Sequence, residues 1–439
     1  MYKFPSDFLW GVATSAYQIE GGADERGRNI WDTFSHTPQR VFNNEHGDTA
    51  CDHLHRWQED TRLIEALGVQ SYRFSTAWSR ILPNGTGQVS EKGLDFYRRL
   101  VDGLLEKGIE PNLTLYHWDL PDALDEKGGW LNRDIADWFA EYATVMFKAL
   151  GDRVKYWTTL NEPWVVAHEG YLAGNHAPGH RNLYEMPKVT HNLLRAHAKA
   201  VQAYRGIGAD KIGLVVNLEP KVAASDRAED VSAAIRMNGY MNQQFLDPVY
   251  LGTYPEAMPE IFGDAWISPT AEDMKLIQEP FDFLGINFYA RGLTASAPEV
   301  PIFHAKTVAH PDHVYTEMGW EVYAQALYDV LKWVDERYNK PQIMVTENGA
   351  AFYDPPATQD LVADTLRIQY YHKHLEAVHR AIQDGVKVQA YYAWSLMDNF
   401  EWGYGYSKRF GLVHVDFSTL QRTPKASYYA YQKWIKESH

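Results

Sequence analysis

Val154-Lys155-Tyr156-Trp157-Thr158-Thr159-Leu160-Asn161-Glu162-Pro163 is a short, largely apolar and β-branched run that stops at a carboxylate and then at a proline. The stretch Val154–Leu160 reads as a buried strand, too short for a helix of normal length. Strand interiors disfavour glutamate, and proline cannot continue a sheet ladder, so Glu162 stands at the strand tip. A second run of the same design, Gln342–Thr346, leads into Glu347-Asn348-Gly349. Carboxylates at two such junctions are better explained by chemistry than by packing. They are far apart along the chain, so only the fold can bring them together. Two carboxyl groups facing one another across a substrate are the minimal equipment for cleaving a glycosidic bond.

Working outward, six further runs have the same character: Phe8–Ala13, Ser71–Ser75, Pro111–Tyr116, Ile212–Asn217, Phe283–Phe288 and Val388–Trp394. Between the runs lie segments with helical spacing of apolar residues: Leu54–Leu67, Glu91–Glu106, Asn132–Leu150, Val189–Tyr204, Ala228–Leu246, Tyr323–Tyr338 and Leu361–Gln383. Several stop at a glycine. Strands alternating with helices imply parallel pairing through crossovers, and eight strands are the number that closes a (β/α)8 TIM barrel. A doubly wound open sheet is the structural alternative. It usually carries a Gly-rich phosphate loop after an early strand, and Gly21-Gly22 lacks that spacing. The segment Ala297–His313 is the loosest and reads as a long loop. With no linker or low-complexity stretch, residues 1–439 read as a single barrel domain with extended loops at the C-terminal face of the strands.

In such barrels the reacting groups sit at the C-terminal strand ends. Polar residues at those places are Gln18, Arg73, His117, Asn161, Glu162, Asn217, Asn287, Tyr289, Glu347 and Trp394. Composition narrows the partners. The net charge of −15 argues against nucleic acid, whose phosphates need a basic surface. No window reaches the roughly 18 apolar residues of a membrane span. Cys51 is the only cysteine, and Met1–Phe8 carries no hydrophobic signal region, which fits a cytoplasmic protein. Aromatics make up 14% of the chain; most are expected to fill a large core, and carbohydrate sites, where flat sugar faces stack on rings, are often aromatic-rich. The oligomeric state is left open.

Four motifs, in order and spanning the whole chain, resemble glycoside hydrolase family 1, the β-glucosidase family. They are Phe8-Leu9-Trp10-Gly11-Val12-Ala13-Thr14-Ser15-Ala16-Tyr17-Gln18-Ile19-Glu20-Gly21, Thr159-Leu160-Asn161-Glu162-Pro163, Val345-Thr346-Glu347-Asn348-Gly349 and Trp394-Ser395-Leu396-Met397-Asp398-Asn399-Phe400-Glu401-Trp402. The resemblance implies a (β/α)8 barrel, retention of anomeric configuration, no cofactor and no metal. It makes Glu162 the acid/base and Glu347 the nucleophile. Small carbohydrates would be the partners: terminal β-glucosyl residues of cello-oligosaccharides and other β-glucosides, with side activity on β-galactosides and β-fucosides.

Supporting roles follow on this basis. Arg73 and Tyr289 are expected to hold Glu347 ionised and oriented, although Arg73 also reads as a buried structural ion pair. Asn161 is placed at the sugar 2-hydroxyl. Gln18, His117, Trp394, Glu401 and Trp402 would form the pocket for the terminal sugar, with Tyr289 at its edge. Trp320 and Asn217 are candidates for the aglycone side. A carboxylate at position 401 would repel a sugar 6-phosphate, whereas relatives acting on phosphorylated sugars carry a small residue there, so unphosphorylated glycosides are expected.

Three other patterns carry less chemistry. Asp48, Cys51, Asp52, His53 and His55 have metal-like composition but only one thiol, and the segment opens an amphipathic helix. His117-Trp118-Asp119 has no serine in a nucleophile elbow to accompany it. His372, His374 and His379 fall in a polar helical stretch and are expected to face solvent. Alternatives to hydrolysis are transglycosylation on the same two glutamates and a non-catalytic carbohydrate-binding barrel. Without the resemblance, a cofactor-dependent barrel oxidoreductase also stays open.

Overall fold

The computed structural model describes residues 2–208, 210–356 and 361–438. Eight parallel strands close into a barrel: β1 (Leu9–Ala13), β2 (Ser71–Ser75), β3 (Glu110–Tyr116), β4 (Tyr156–Asn161), β5 (Lys211–Asn217), β6 (Phe283–Asn287), β7 (Ile343–Asn348) and β8 (Val388–Trp394). Each pairs with its neighbours in chain order, and β8 returns to β1 in the register Leu9↔Ala390 to Ala13↔Trp394. All eight expected strands are present, with ends displaced by no more than two residues. Ring closure rules out the doubly wound alternative.

The strands read as near-continuous apolar runs because both of their faces are covered. Outward side chains such as Trp10, Leu113, Trp157 and Ile286 meet the helices in the main core. Inward ones, including Ala13, Phe283, Met344, Ala390 and Tyr392, fill the barrel itself. The interior also buries polar groups, and these are tied to one another. Ser71 Oγ and Asn112 Nδ2 lie 2.9 and 3.1 Å from Tyr392 Oη.

The helices between strands fall close to the segments expected, among them His53–Leu67, Glu91–Leu105, Ile135–Leu150, Met186–Arg205, Gln325–Arg337 and Thr365–Gln383. The first of these ends at Gly68, whose φ of +83° is the left-handed conformation glycine adopts without steric cost. Four expectations are corrected. The helix expected over Ala228–Leu246 breaks after Asn238 into a π-helical turn, Gly239–Gln243, and resumes at Leu246–Leu251. The loop expected over Ala297–His313 contains a strand, Ala305–Val308, which pairs antiparallel with Gly292–Ser296. A helix over Ala426–Glu437 follows β8 and was not anticipated. Finally, His374 does not face solvent. It is fully buried, with Nδ1 2.8 Å from the Tyr370 carbonyl and its ring stacked on Tyr370, and burial lowers its pKa to about 4. It lies on the same helix face as Tyr370, Tyr371 and Leu375, so helical phase overrides its polar character.

Candidate active site

The C-terminal ends of the strands surround a cavity of about 600 Å³. Glu162 and Glu347 both line it. Glu162 follows the last residue of β4. Its N–H still donates to Val215 of β5 (2.9 Å), so sheet pairing positions it, and Pro163 then opens a short helix, Pro163–Ala167. Glu162 has φ +49°, ψ 63°, a left-handed conformation in which a non-glycine residue is strained. Glu347 lies within β7, where the pairing with β6 slips between Val345 and Glu347. Such irregularities re-aim side chains beside active sites. Gly349 follows closely, and a Cβ there would lie 1.8 Å from the Trp394 carbonyl, so only glycine lets the β7 and β8 ends approach.

One hydrogen-bonded chain joins the two carboxyl groups. Arg73 Nη1 donates to Glu347 Oε1 (2.6 Å) and Arg73 Nη2 to Asn161 Oδ1 (2.6 Å). Tyr289 Oη donates to Glu347 Oε2 (2.5 Å). Asn287 Nδ2 donates to Glu162 Oε1 (2.5 Å) and to Asn161 Oδ1 (3.0 Å), while its own carbonyl is held by Thr346 Oγ1 (2.7 Å). Arg73 is therefore both readings at once: a buried ion pair, and one made with the carboxylate that lines the cavity.

The two glutamates sit in unequal fields. Burial raises the pKa of Glu162 to about 8, and the neighbouring charge of Glu347 adds to this, with the Asn287 amide and Arg73 opposing weakly. Burial also raises Glu347, but the Arg73 guanidinium, the Tyr289 phenol and Asn287 pull against it. A guanidinium in direct contact stabilises the ionised form far more than an amide does. The shared proton therefore belongs on Glu162.

Oδ1 of Asn161 is occupied by two donors, so its Nδ2 is the donor to His117 Nε2 at 3.1 Å. His117 must then carry its hydrogen on Nδ1, which is buried and has no partner among the described residues. Burial, reinforced by Arg73, holds this imidazole neutral by lowering its pKa well below the usual value. His117 thus lines the cavity as a neutral ring whose N–H is itself buried. It lies between Trp394 and Trp402, with ring centroids 6.0 Å from each. Trp402 is packed in turn on Trp31 and Trp118.

Glu401 lines the cavity, and burial followed by the charge of Glu347 raises its pKa to about 8. Gln18 is fully buried beneath it. Its amide nitrogen Nε2 shares its two hydrogens among Asn399 Oδ1 (3.0 Å), the Phe400 carbonyl (2.9 Å) and Glu401 Oε2 (3.5 Å). Asn217, Tyr289, Trp320, Trp394 and Trp402 also line the cavity, whereas Gln18, Arg73 and Asn161 stand behind its wall.

Asn287, which bridges the carboxyl groups, was legible only as a polar strand end. Phe34, Trp118, Trp164 and Glu169 also line the cavity and were not expected there. Trp118 and Trp164 each adjoin an expected site residue (His117, Glu162), a signal that could have found them. Phe34 and Glu169 sit on long connections whose course no local pattern specifies. The five residues with metal-like composition do not converge. Cys51 Sγ donates to the Asp398 carbonyl, His53 pairs with Asp60, and His55 with Asp52 and Glu25. His117 bonds to Asn161, not to Asp119.

A closed (β/α)8 barrel with two unequal carboxyl groups in an aromatic-walled cavity defines a glycosidase-type site. The family model described as glycosyl hydrolase family 1 matches residues 1–439. The chain is 52% identical to beta-glucosidase A of Thermotoga maritima, over 99% of this chain and 98% of that one. It is 50% identical to a 1,4-beta-D-glucan glucohydrolase of Thermotoga neapolitana, over 100% and 99% of the two. The solved T. maritima family 1 β-glucosidase superposes with a TM-score of 0.97 at 51% identity, covering 100% of this chain and 99% of that one. The same enzyme solved in complex with deoxynojirimycin also matches with a TM-score of 0.97. The chain belongs to glycosyl hydrolase family 1 and is a glycoside hydrolase.

Proposed function

We propose that the chain is a retaining β-glucosidase that removes terminal β-glucosyl residues from cello-oligosaccharides and other unphosphorylated β-glucosides through a covalent glycosyl-enzyme. The observation that carries this reading is the inequality of the two glutamates. Glu347 is ion-paired with Arg73 at 2.6 Å, while Glu162 is buried with only an amide donor. Glu162 donates its proton to the leaving oxygen as ionised Glu347 attacks the anomeric carbon from the opposite face. The glycosidic C–O bond breaks, an ester to Glu347 forms, and the negative charge of Glu347 is lost. Glu162 then becomes more acidic and takes a proton from water, whose oxygen displaces Glu347.

The His117 ring, the carboxyl of Glu401 and the faces of Trp394 and Trp402 would hold the terminal sugar. Gln18 fixes the segment that carries Glu401, Asn161 ties Arg73, Asn287 and His117 together from behind the wall, and Trp320 and Asn217 flank the aglycone. The names of the Thermotoga relatives support glucose as the terminal sugar and short β-glucans among the substrates. Side activity on β-galactosides and β-fucosides is part of the proposal, as is the reading of residues 1–439 as one catalytic barrel.

Proton NMR of the first product formed from an aryl β-glucoside tests the mechanism. β-Glucose appearing before mutarotation is expected, and α-glucose would overturn retention. Cellobiose, short cello-oligosaccharides and a 6-phosphoglucoside tested together define the range. Turnover of the phosphorylated substrate at a comparable rate would overturn the restriction to unphosphorylated glucosides.

A further inference from the structure

Outside the lining of the active-site cavity, three side chains that play no part in the mechanism converge on the surface: His36, His46 and Asp48. Their ligand atoms all lie within 4.8 Å of one another. His36 Nε2 is 3.2 Å from Asp48 Oδ2, and His46 Nδ1 is 3.3 Å from Asp48 Oδ1. Tetrahedral zinc with bonds of about 2.0–2.1 Å sets its ligand atoms about 3.3 Å apart.

The tautomer of His36 is fixed. Its Nδ1 lies 2.7 Å from the Asp32 carbonyl, which can only accept, so Nδ1 bears the hydrogen. In the neutral ring Nε2 then turns a lone pair toward a carboxylate oxygen. Two lone pairs at that separation repel unless a proton or a metal ion lies between them. A metal-bound imidazole whose other nitrogen donates to a backbone carbonyl is the usual arrangement at zinc sites. At the other end, Asp48 Oδ1 is buried and accepts no hydrogen bond, despite its closeness to His46.

The backbone holding these ligands is fixed independently of them. Gly47, between His46 and Asp48, lies against the Tyr17 ring so closely that a Cβ would come within 2.7 Å. Tyr406 Oη donates to the His46 carbonyl at 2.8 Å, and Asn29 caps the helix Ile30–Ser35 that delivers His36.

We propose that His36, His46 and Asp48 form a binding site for one divalent ion of the zinc class, through His36 Nε2, His46 Nδ1 and a carboxylate oxygen, with solvent completing the tetrahedron. Two imidazoles favour zinc, copper or nickel and exclude magnesium and calcium, which take oxygen ligands.

Isothermal titration of the full chain with zinc chloride, in a buffer that does not chelate, tests the site. His36→Ala, His46→Ala and Asp48→Asn are titrated beside it, and magnesium chloride serves as the control. Hydrolysis of an aryl glucoside without added metal verifies that each variant is folded. The parent chain is expected to take up one equivalent of zinc that each variant loses or binds about tenfold or more weakly. Zinc is also expected to raise the Tm of the parent chain and not of the variants, as binding to the folded form alone requires. Absence of zinc uptake, or the same stoichiometry and affinity in the parent and all three variants, would overturn the proposal.

Discussion

At the scale of single residues, the chemistry rests on which glutamate keeps the proton. Replacing Glu347 by alanine leaves Arg73 and Tyr289 facing empty space and removes the attacking carboxylate. Hydrolysis of an aryl β-glucoside should fall by about 10⁴-fold or more, the scale of losing a nucleophile. Azide should restore turnover from the vacated face and yield the α-glucosyl azide, identified by NMR. A variant with near-normal rate would end the assignment. For Glu162 the expectation concerns pH. Its pKa lies above the ordinary 4.5, at about 8, so the competent acid form is present below that value and is lost as pH rises through it. The kcat/KM profile of the parent chain should therefore decline on the alkaline side near pH 8, with an apparent constant that belongs to the coupled pair. In Glu162→Ala that decline should vanish for a dinitrophenyl glucoside, whose leaving group needs no proton. Alkyl glucosides should lose about 10²–10⁴-fold more, the usual worth of a general acid. Both glutamates were legible in sequence because a carboxylate at a strand tip next to a breaker conflicts with packing preference. Asn287 was not, because an asparagine at a strand end is unremarkable until its neighbours are known.

At the scale of elements, the segment after β8 carries Glu401 and Trp402 and is held from below by buried charge. Asp398, fully buried, accepts from Lys425 Nζ (2.7 Å), Arg409 Nη1 (2.7 Å) and the Gly411 N–H (3.0 Å). Lys425 also reaches Asp354, to which Arg367 is bonded (2.9 Å). The motif containing Asp398 was legible, but this support was not. Its members come from four separate stretches, and isolated charges in a sequence read as solvent-facing. Burial alone would raise the carboxyl of Asp398, yet Lys425 and Arg409 outweigh it and hold the pKa below the ordinary 3.8. The stabilisation is thus complete above about pH 3.8 and is lost as pH falls through the lower folded value. Asp398→Asn should cost about 3–5 kcal/mol in urea unfolding, because it leaves buried cations with one acid fewer. It should also flatten the acid limb of stability against pH. If the segment is indeed what this cluster positions, the variant should raise KM for aryl glucosides more than it lowers kcat. An unchanged KM would mean that the charges serve stability alone.

At the scale of the whole molecule, the ring of eight strands is only as closed as its last seam. β1 pairs with β8 over five residues but with β2 over three. The unanticipated helix Ala426–Glu437 covers this region. It buries Tyr428, Tyr431, Trp434 and Ile435, and Tyr431 Oη donates to the Gly11 carbonyl in β1 (2.9 Å). The strands were legible because parallel barrel strands are apolar on both faces. This helix escaped notice because its tyrosines resemble neither an aliphatic stripe nor a strand alternation, although 428, 431 and 435 share a helical face. Magnitudes separate two variants. Tyr431→Phe removes one hydrogen bond and should cost about 1 kcal/mol. Ending the chain after Lys425 removes four buried side chains worth about 1.5–3 kcal/mol each, a sum that rivals the 5–15 kcal/mol total stability of a typical domain. The first variant should keep full activity with a slightly lower urea midpoint. The second should fail to give a cooperative unfolding transition or any glucosidase activity, even though every residue of the proposed site is still present. A truncated chain that melts cooperatively and turns over substrate would show that the seam between β1 and β8 closes without its helical cover.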